Sequence, residues 1–176
     1  MSITAESSLR EVAFAVCTAL HQAGSTAVLT GGSAATVYAE GAYQSRDLDF
    51  VLTVAAPGGA EVLAALGYRL VGNVYHHAAN PLTLDFPPGP LMVGGEITRA
   101  WDTLHEGAAL LHILKPTDCC RDRLAGFLFW NDRGSLAQAL AVARAQRERI
   151  ELPVIRAWCE REGQLEKFAE FVAAAE

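Results

Sequence analysis

The sequence has no C-x-x-C pair, no apolar run long enough to cross a bilayer and no excess of basic charge. Its four cysteines, Cys17, Cys119, Cys120 and Cys159, include one adjacent pair and fit neither a zinc knuckle nor a disulfide framework, so reduced thiols are expected. Nothing at the N-terminus resembles a charged leader followed by an apolar stretch and a cleavage site, and the expectation is a cytoplasmic protein with no membrane partner. A formal charge of −6 excludes a broadly basic nucleic-acid coat, because phosphate binding draws on clustered lysine and arginine. One local exception stands out: residues 115–149 hold seven basic residues against four acidic ones. Apolar residues are plentiful, 51% of 176, which is enough for one sizeable core and too little chain for two independent domains.

Hydrophobic spacing divides the chain. Leu9, Val12, Ala13, Val16 and Leu20 share one helical face, closed by Gly24. Residues 26–30 read as a buried strand entering a tight turn at Gly31-Gly32, with a helix from Ser33 to about Glu40. Residues 46–53 alternate charged and apolar side chains at their start, the period of a strand with one wet face. A helix over 58–66 then crosses back over the sheet, and further strands are expected near 68–71, 81–86 and 108–114. Beyond Thr117 the pattern is helical, with Leu136, Leu140 and Ala143 on one face and Leu165, Phe168, Ala169 and Val172 on another. The fold class expected is α/β (α+β): a small mixed sheet flanked by helices over residues 1–115, and a helical segment over 116–176 packed on it as one compact unit.

Three carboxylates carry the chemistry. Residues i and i+2 of a strand point to one face, so Asp47 and Asp49 present their acids side by side above Leu48 and Phe50. Asp85 brings a third acid at the end of another strand. Such a set suits divalent ions clamped for phosphoryl or nucleotidyl transfer, and oxygen-only ligation favours Mg2+ or Mn2+ over zinc. Upstream, Gly31, Gly32 and Ser33 join a strand to a helix, where free N–H groups and a positive dipole end face phosphate oxygens. Arg46, beside the acids, is placed to steady a triphosphate or pair with one of them.

Gly31-Gly32-Ser33, followed after thirteen residues by Asp47-Leu48-Asp49, resembles the glycine-serine plus Asp-x-Asp signature of the polymerase β-like nucleotidyltransferase superfamily. Within it, the short α/β half and helical tail look most like the AbiEii-type and MenT-type toxin nucleotidyltransferases and their relatives. The resemblance implies a nucleoside triphosphate substrate, catalytic and metal-binding roles for Asp47, Asp49 and Asp85, and nucleotide contacts from Gly31, Gly32, Ser33 and Arg46. It also implies a lysine followed by an Arg-Asp segment, for which the candidates are Lys115, Arg121-Asp122-Arg123 and Asn131-Asp132-Arg133. Arg121 in place of that lysine still meets phosphate, but as a planar fork that does not act readily as a base. Acceptors implied are a hydroxyl at the 3′ end of a tRNA, a protein side chain or a small molecule, and a cognate antitoxin is an implied partner.

Two other function classes share these residues. One is a nucleotide-binding or antitoxin-like module that keeps the pocket without efficient chemistry. The other is a metal-dependent hydrolase, which leaves the glycine-serine turn without a purpose. His76-His77 is a poor metal pair, because adjacent strand residues face opposite ways. Cys119-Cys120 and the aromatic group Phe127, Phe129 and Trp130 are expected to pack in the core, and Arg144, Arg147 and Arg149 to form a solvated helix face.

Overall fold

The structure, a computed structural model, describes residues 2–175. Helix α1 (Leu9–Gln22) starts at a reciprocal cap: the Ser8 hydroxyl accepts from Glu11 N–H while the Glu11 carboxylate accepts from Ser8 N–H. Its apolar stripe, including Leu9, Val12, Ala13, Val16 and Leu20, is fully buried. Strand β1 (Thr26–Thr30) runs into α2 (Gly31–Tyr38), which begins two residues earlier than the glycine pair suggests, because Gly31 takes φ +66° and starts the helix from the left-handed region. Strand β2 (Asp47–Val54), helix α3 (Gly59–Ala65) and strands β3 (Tyr68–Val71), β4 (Val74–His77) and β5 (Thr83–Asp85) follow.

Four strands lie outside the strand segments read from the sequence: β4 and the three that follow β5. Strands β6 (Met92–Val93) and β7 (Glu96–Ile97) form a small separate hairpin. Strand β8 (Asp102–Glu106) pairs antiparallel with β9 (Ala109–Ile113) at the edge of the main sheet. The main sheet has seven strands in the order β3-β4-β5-β2-β1-β9-β8, with β1/β2 antiparallel and both β1/β9 and β2/β5 parallel. This is the mixed α/β architecture expected.

Helices α4 (Pro116–Trp130), α5 (Arg133–Ala145), α6 (Leu152–Arg161) and α7 (Leu165–Ala175) complete the chain. One hydrophobic core runs from Leu9 to Phe171 and takes in both halves, with Trp158, Phe127 and Phe171 of the helical segment fully buried beside Leu29, Phe50 and Ile113 of the sheet. Of the aromatic group on α4 only Phe127 is core; Phe129 and Trp130, at 43% and 77% exposure, lie outside it as the helix ends at Asn131 in the left-handed region. Helix α7 anchors itself through Phe171, while Leu165 and Ala169 remain exposed. All four cysteines are buried, and burial pushes the thiols of Cys17 and Cys159 up to about 11, as inert packing residues require. His112 on β9 is buried, and burial, then His21 and His105, hold its ring below the usual histidine range. No helix among the described residues is long and apolar enough to cross a membrane.

Candidate active site

Strand pairing brings the three acids together. Asp49 of β2 lies directly opposite Asp85 of β5 on one side and Thr30 of β1 on the other, with Asp47 two residues along the same strand and therefore on the same face. Leu48 and Leu84, also paired, are completely buried on the opposite face and fix both strands in the sheet. Burial, then the charges of Asp47 and Asp85, raise the Asp49 carboxyl to about 6. Among the described residues no group of three or more His, Cys, Asp or Glu side chains is drawn together closely enough to hold an ion. The acids are thus neighbours on one face of the sheet.

The glycine turn meets this face at close range. A Cβ on Gly31 would lie 2.5 Å from Asp49 Oδ2, so only glycine lets the start of α2 sit against the acid. A Cβ on Gly32 would come within 3.3 Å of Tyr43 Cε1, 3.4 Å of Ser45 Oγ and 3.5 Å of Gln138 Oε1. Ser33 is fully buried, and its hydroxyl is used twice: it donates to Thr30 O at 2.8 Å and accepts from Asp49 N–H at 3.2 Å. Its place is under the acid, bracing the β1–β2 pair. Ser45 is a residue sequence reasoning missed; its hydroxyl donates to Asp47 Oδ1 at 2.7 Å and orients that carboxylate. Asp85 Oδ1 accepts from Phe86 N–H at 2.8 Å, which leaves Oδ2 outside that hydrogen bond.

The basic candidates separate. Arg121 is buried away from solvent and bonded to Asp118 and to Glu96 of β7, with its guanidinium 5.2 Å from the Trp158 ring. These partners belong to α4 itself, the hairpin and α6, and the structure does not bring Arg121 to the acids. Arg123 is the α4 cation whose charge acts on Asp49, pulling the raised carboxyl back down, while its neighbour Asp122 pushes the other way. It bonds Asp122 through Nε at 3.0 Å and Nη2 at 2.7 Å, and Gln138 Oε1 through Nη1 at 3.4 Å. Burial works against that guanidinium's charge, and Asp122 holds it above the ordinary range nonetheless. Lys115 is exposed at the N-cap of α4, and the carboxylate on which its charge acts is Asp118, not one of the three acids. Arg46 is exposed at the head of β2, where it lines a cleft with Gln44, Pro81 and Leu82.

The structure thus presents a mixed sheet carrying an Asp-x-Asp strand beside a helix that starts on a glycine pair, with helices packed behind. The chain is similar to the crystal structure of an antigenic nucleotidyltransferase-like protein from Paracoccidioides brasiliensis, with a TM-score of 0.64 over 98% of this chain and 94% of that one. Sequence identity between the two is 12%, so the likeness is one of fold. No family model matches the chain, and no curated protein matches it in sequence.

Proposed function

We propose that this chain is a cytoplasmic, metal-dependent nucleotidyltransferase that moves a nucleoside monophosphate from a nucleoside triphosphate to an acceptor hydroxyl and releases pyrophosphate. The observation that carries the reading is charge: Asp47, Asp49 and Asp85 share one face of the sheet, and the guanidinium whose charge acts on Asp49, Arg123, is itself paired with Asp122, so the face beside the glycine turn is acidic and oxygen-only. That donor set fits Mg2+ or Mn2+, with Asp47 and Asp49 as the residues to hold the ion and Asp85 to complete its shell. When bound, the metal supplies charge neutralisation on the triphosphate.

The chain's own residues do the rest. Backbone N–H groups at the start of α2, opened by Gly31 and Gly32, receive phosphate oxygens. Arg123, held by Asp122 and Gln138, adds a cationic fork on the opposite side. The acceptor oxygen bonds to the α-phosphorus, the bond from that phosphorus to the bridging oxygen breaks toward pyrophosphate, and the acceptor proton passes to Asp85 Oδ2. The acceptor hydroxyl is that of a tRNA 3′ end, a protein side chain or a small molecule, and a toxin-like role adds a cognate antitoxin as partner.

Pyrophosphate release from each of the four nucleoside triphosphates, with Mg2+ and total tRNA, tests this against the Asp47→Asn, Asp49→Asn double variant. Release that depends on both acids, with label transferred to RNA, supports the reading and names the acceptor. Release unchanged in the double variant overturns it. The spacing of the carboxylates favours one second reading, a nucleotide-binding or antitoxin-like module: triphosphate binding with no release, by a protein that forms a stable complex with a partner, is its signature.

A further inference from the structure

A histidine cluster lies outside the acid face and has no part in the reaction above. His112, at the centre of β9 and 8% exposed, brings Nε2 to 3.4 Å from Nδ1 of His21 in the last turn of α1, with ring planes inclined at 65°. The other nitrogen of His112, Nδ1, is 2.9 Å from Thr103 Oγ1 on β8. Thr103 is the direct cross-strand partner of His112, and His105 follows two residues later on the same face. Diagonal neighbours on an antiparallel pair stand about 7–8 Å apart, within reach of a long side chain.

We propose that His21 and His112 form a binding site for a borderline d-block cation such as Zn2+; the structure holds these two rings together, and the third ligand, exposed His105, is not drawn in and joins them only when the ion binds, with water completing the shell. Two imidazole nitrogens each about 2.0–2.1 Å from a tetrahedral zinc lie about 3.3–3.4 Å apart, the separation these two already have. Nothing larger than a rotor has to move to free both lone pairs. When Thr103 donates to His112 Nδ1, the His112 proton sits on Nε2 and bonds His21. When Thr103 turns and accepts, the proton moves to Nδ1, His112 Nε2 presents a lone pair, and the neutral His21 ring takes the tautomer that frees Nδ1. A hydroxyl fixing the far nitrogen of a ligating imidazole is the outer-shell support such sites use. The ligands come from α1, β9 and β8, so a bound ion ties the edge of the sheet to the first helix. Nitrogen donors also separate this site chemically from the carboxylates, which favour Mg2+ and Mn2+.

The test is calorimetric titration of the full chain with Zn2+ in buffer containing Mg2+, alongside Co2+ substitution read by its visible absorption. The wild type is expected to take up one equivalent. His21→Ala, at an exposed position that leaves the core intact, should weaken uptake by at least about tenfold; His105→Ala should weaken it less; and Asp47→Asn should leave it unchanged. Co2+ should give the intense visible bands of a nitrogen-ligated, low-coordinate ion, lost in His21→Ala. Absence of Zn2+ uptake by the wild type, or full affinity retained in His21→Ala, overturns the proposal. Because Asp47→Asn acts only on the acid face, the outcome is independent of the nucleotidyltransferase reading.

Discussion

Helix α4 carries two arginines two residues apart, and the clusters they join differ in how charge is balanced. Around Arg121, Glu96 accepts from both Arg121 and Arg161, Asp118 closes the other side, and Trp158 covers the guanidinium while donating its own N–H to Gly94 O. There the charges cancel and one residue pins a hairpin, a helix and a neighbouring helix together. Around Arg123, Asp122 holds the guanidinium, Asp49 feels its charge, and Asp49, with Asp47 and Asp85 beside it, is pushed up to about 6. Paired charge builds structure; unbalanced charge is maintained at a cost in stability, and on the proposed reading a bound cation would offset it.

Breaking the balanced cluster should do the most harm to the fold. Arg121→Met keeps the packing against Trp158 but strands the buried side of Asp118 and leaves Glu96 with Arg161 alone, and is expected to destabilise the protein by on the order of 3 kcal/mol in chemical denaturation. Ser33→Ala, beneath the unbalanced site, removes a buried hydroxyl that serves both Thr30 O and Asp49 N–H, and should cost about 2 kcal/mol while loosening the acid face.

Asp49→Asn should act in the opposite sense and stabilise the metal-free protein by about 1–2 kcal/mol at pH 7, after allowance for partial exposure. Its folded pKa of about 6 lies above the ordinary 3.8, so the ionisation penalty is absent below pH 4, grows as pH rises and is complete above about 6. The Tm difference between wild type and Asp49→Asn should therefore close as pH is lowered through that window. An unchanged gap would contradict the charge argument. Lys115→Ala, at an exposed cap with no hydrogen bond to its side chain among those of the described residues, should change stability by less than about 0.5 kcal/mol and leave nucleotide turnover intact, as a rate assay can check.

The difference between the two arginines also explains what the sequence could disclose. Alternation at Arg46-Asp47-Leu48-Asp49 set β2 and its wet face, because strand period is rigid and a neighbour such as β5 inherits the same register. Small residues after a buried strand marked the start of α2. On a helix, two residues apart means about 200° of rotation, so whether Arg121 or Arg123 faces the acids depends on how α4 is rolled. With apolar residues on several sides of α4, spacing does not fix that roll; packing against α5 and α6 does. Edge strand β8, Asp102-Thr-Leu-His-Glu, has Leu104 as its one apolar residue, too little for a hydrophobic period to show. Ser45 was equally silent, since a hydroxyl before a strand has many ordinary uses.

The distribution of the site along the chain also orders events during synthesis. All three acids have been made by residue 85, yet the cationic fork that faces them arrives at residue 123 and its brace at residue 138. A nascent chain emerging N-terminus first therefore carries a naked acidic face through much of its translation, and the opposing wall closes over it only when α4 and α5 have left the ribosome and packed. The timing of assembly is written into the order of the elements.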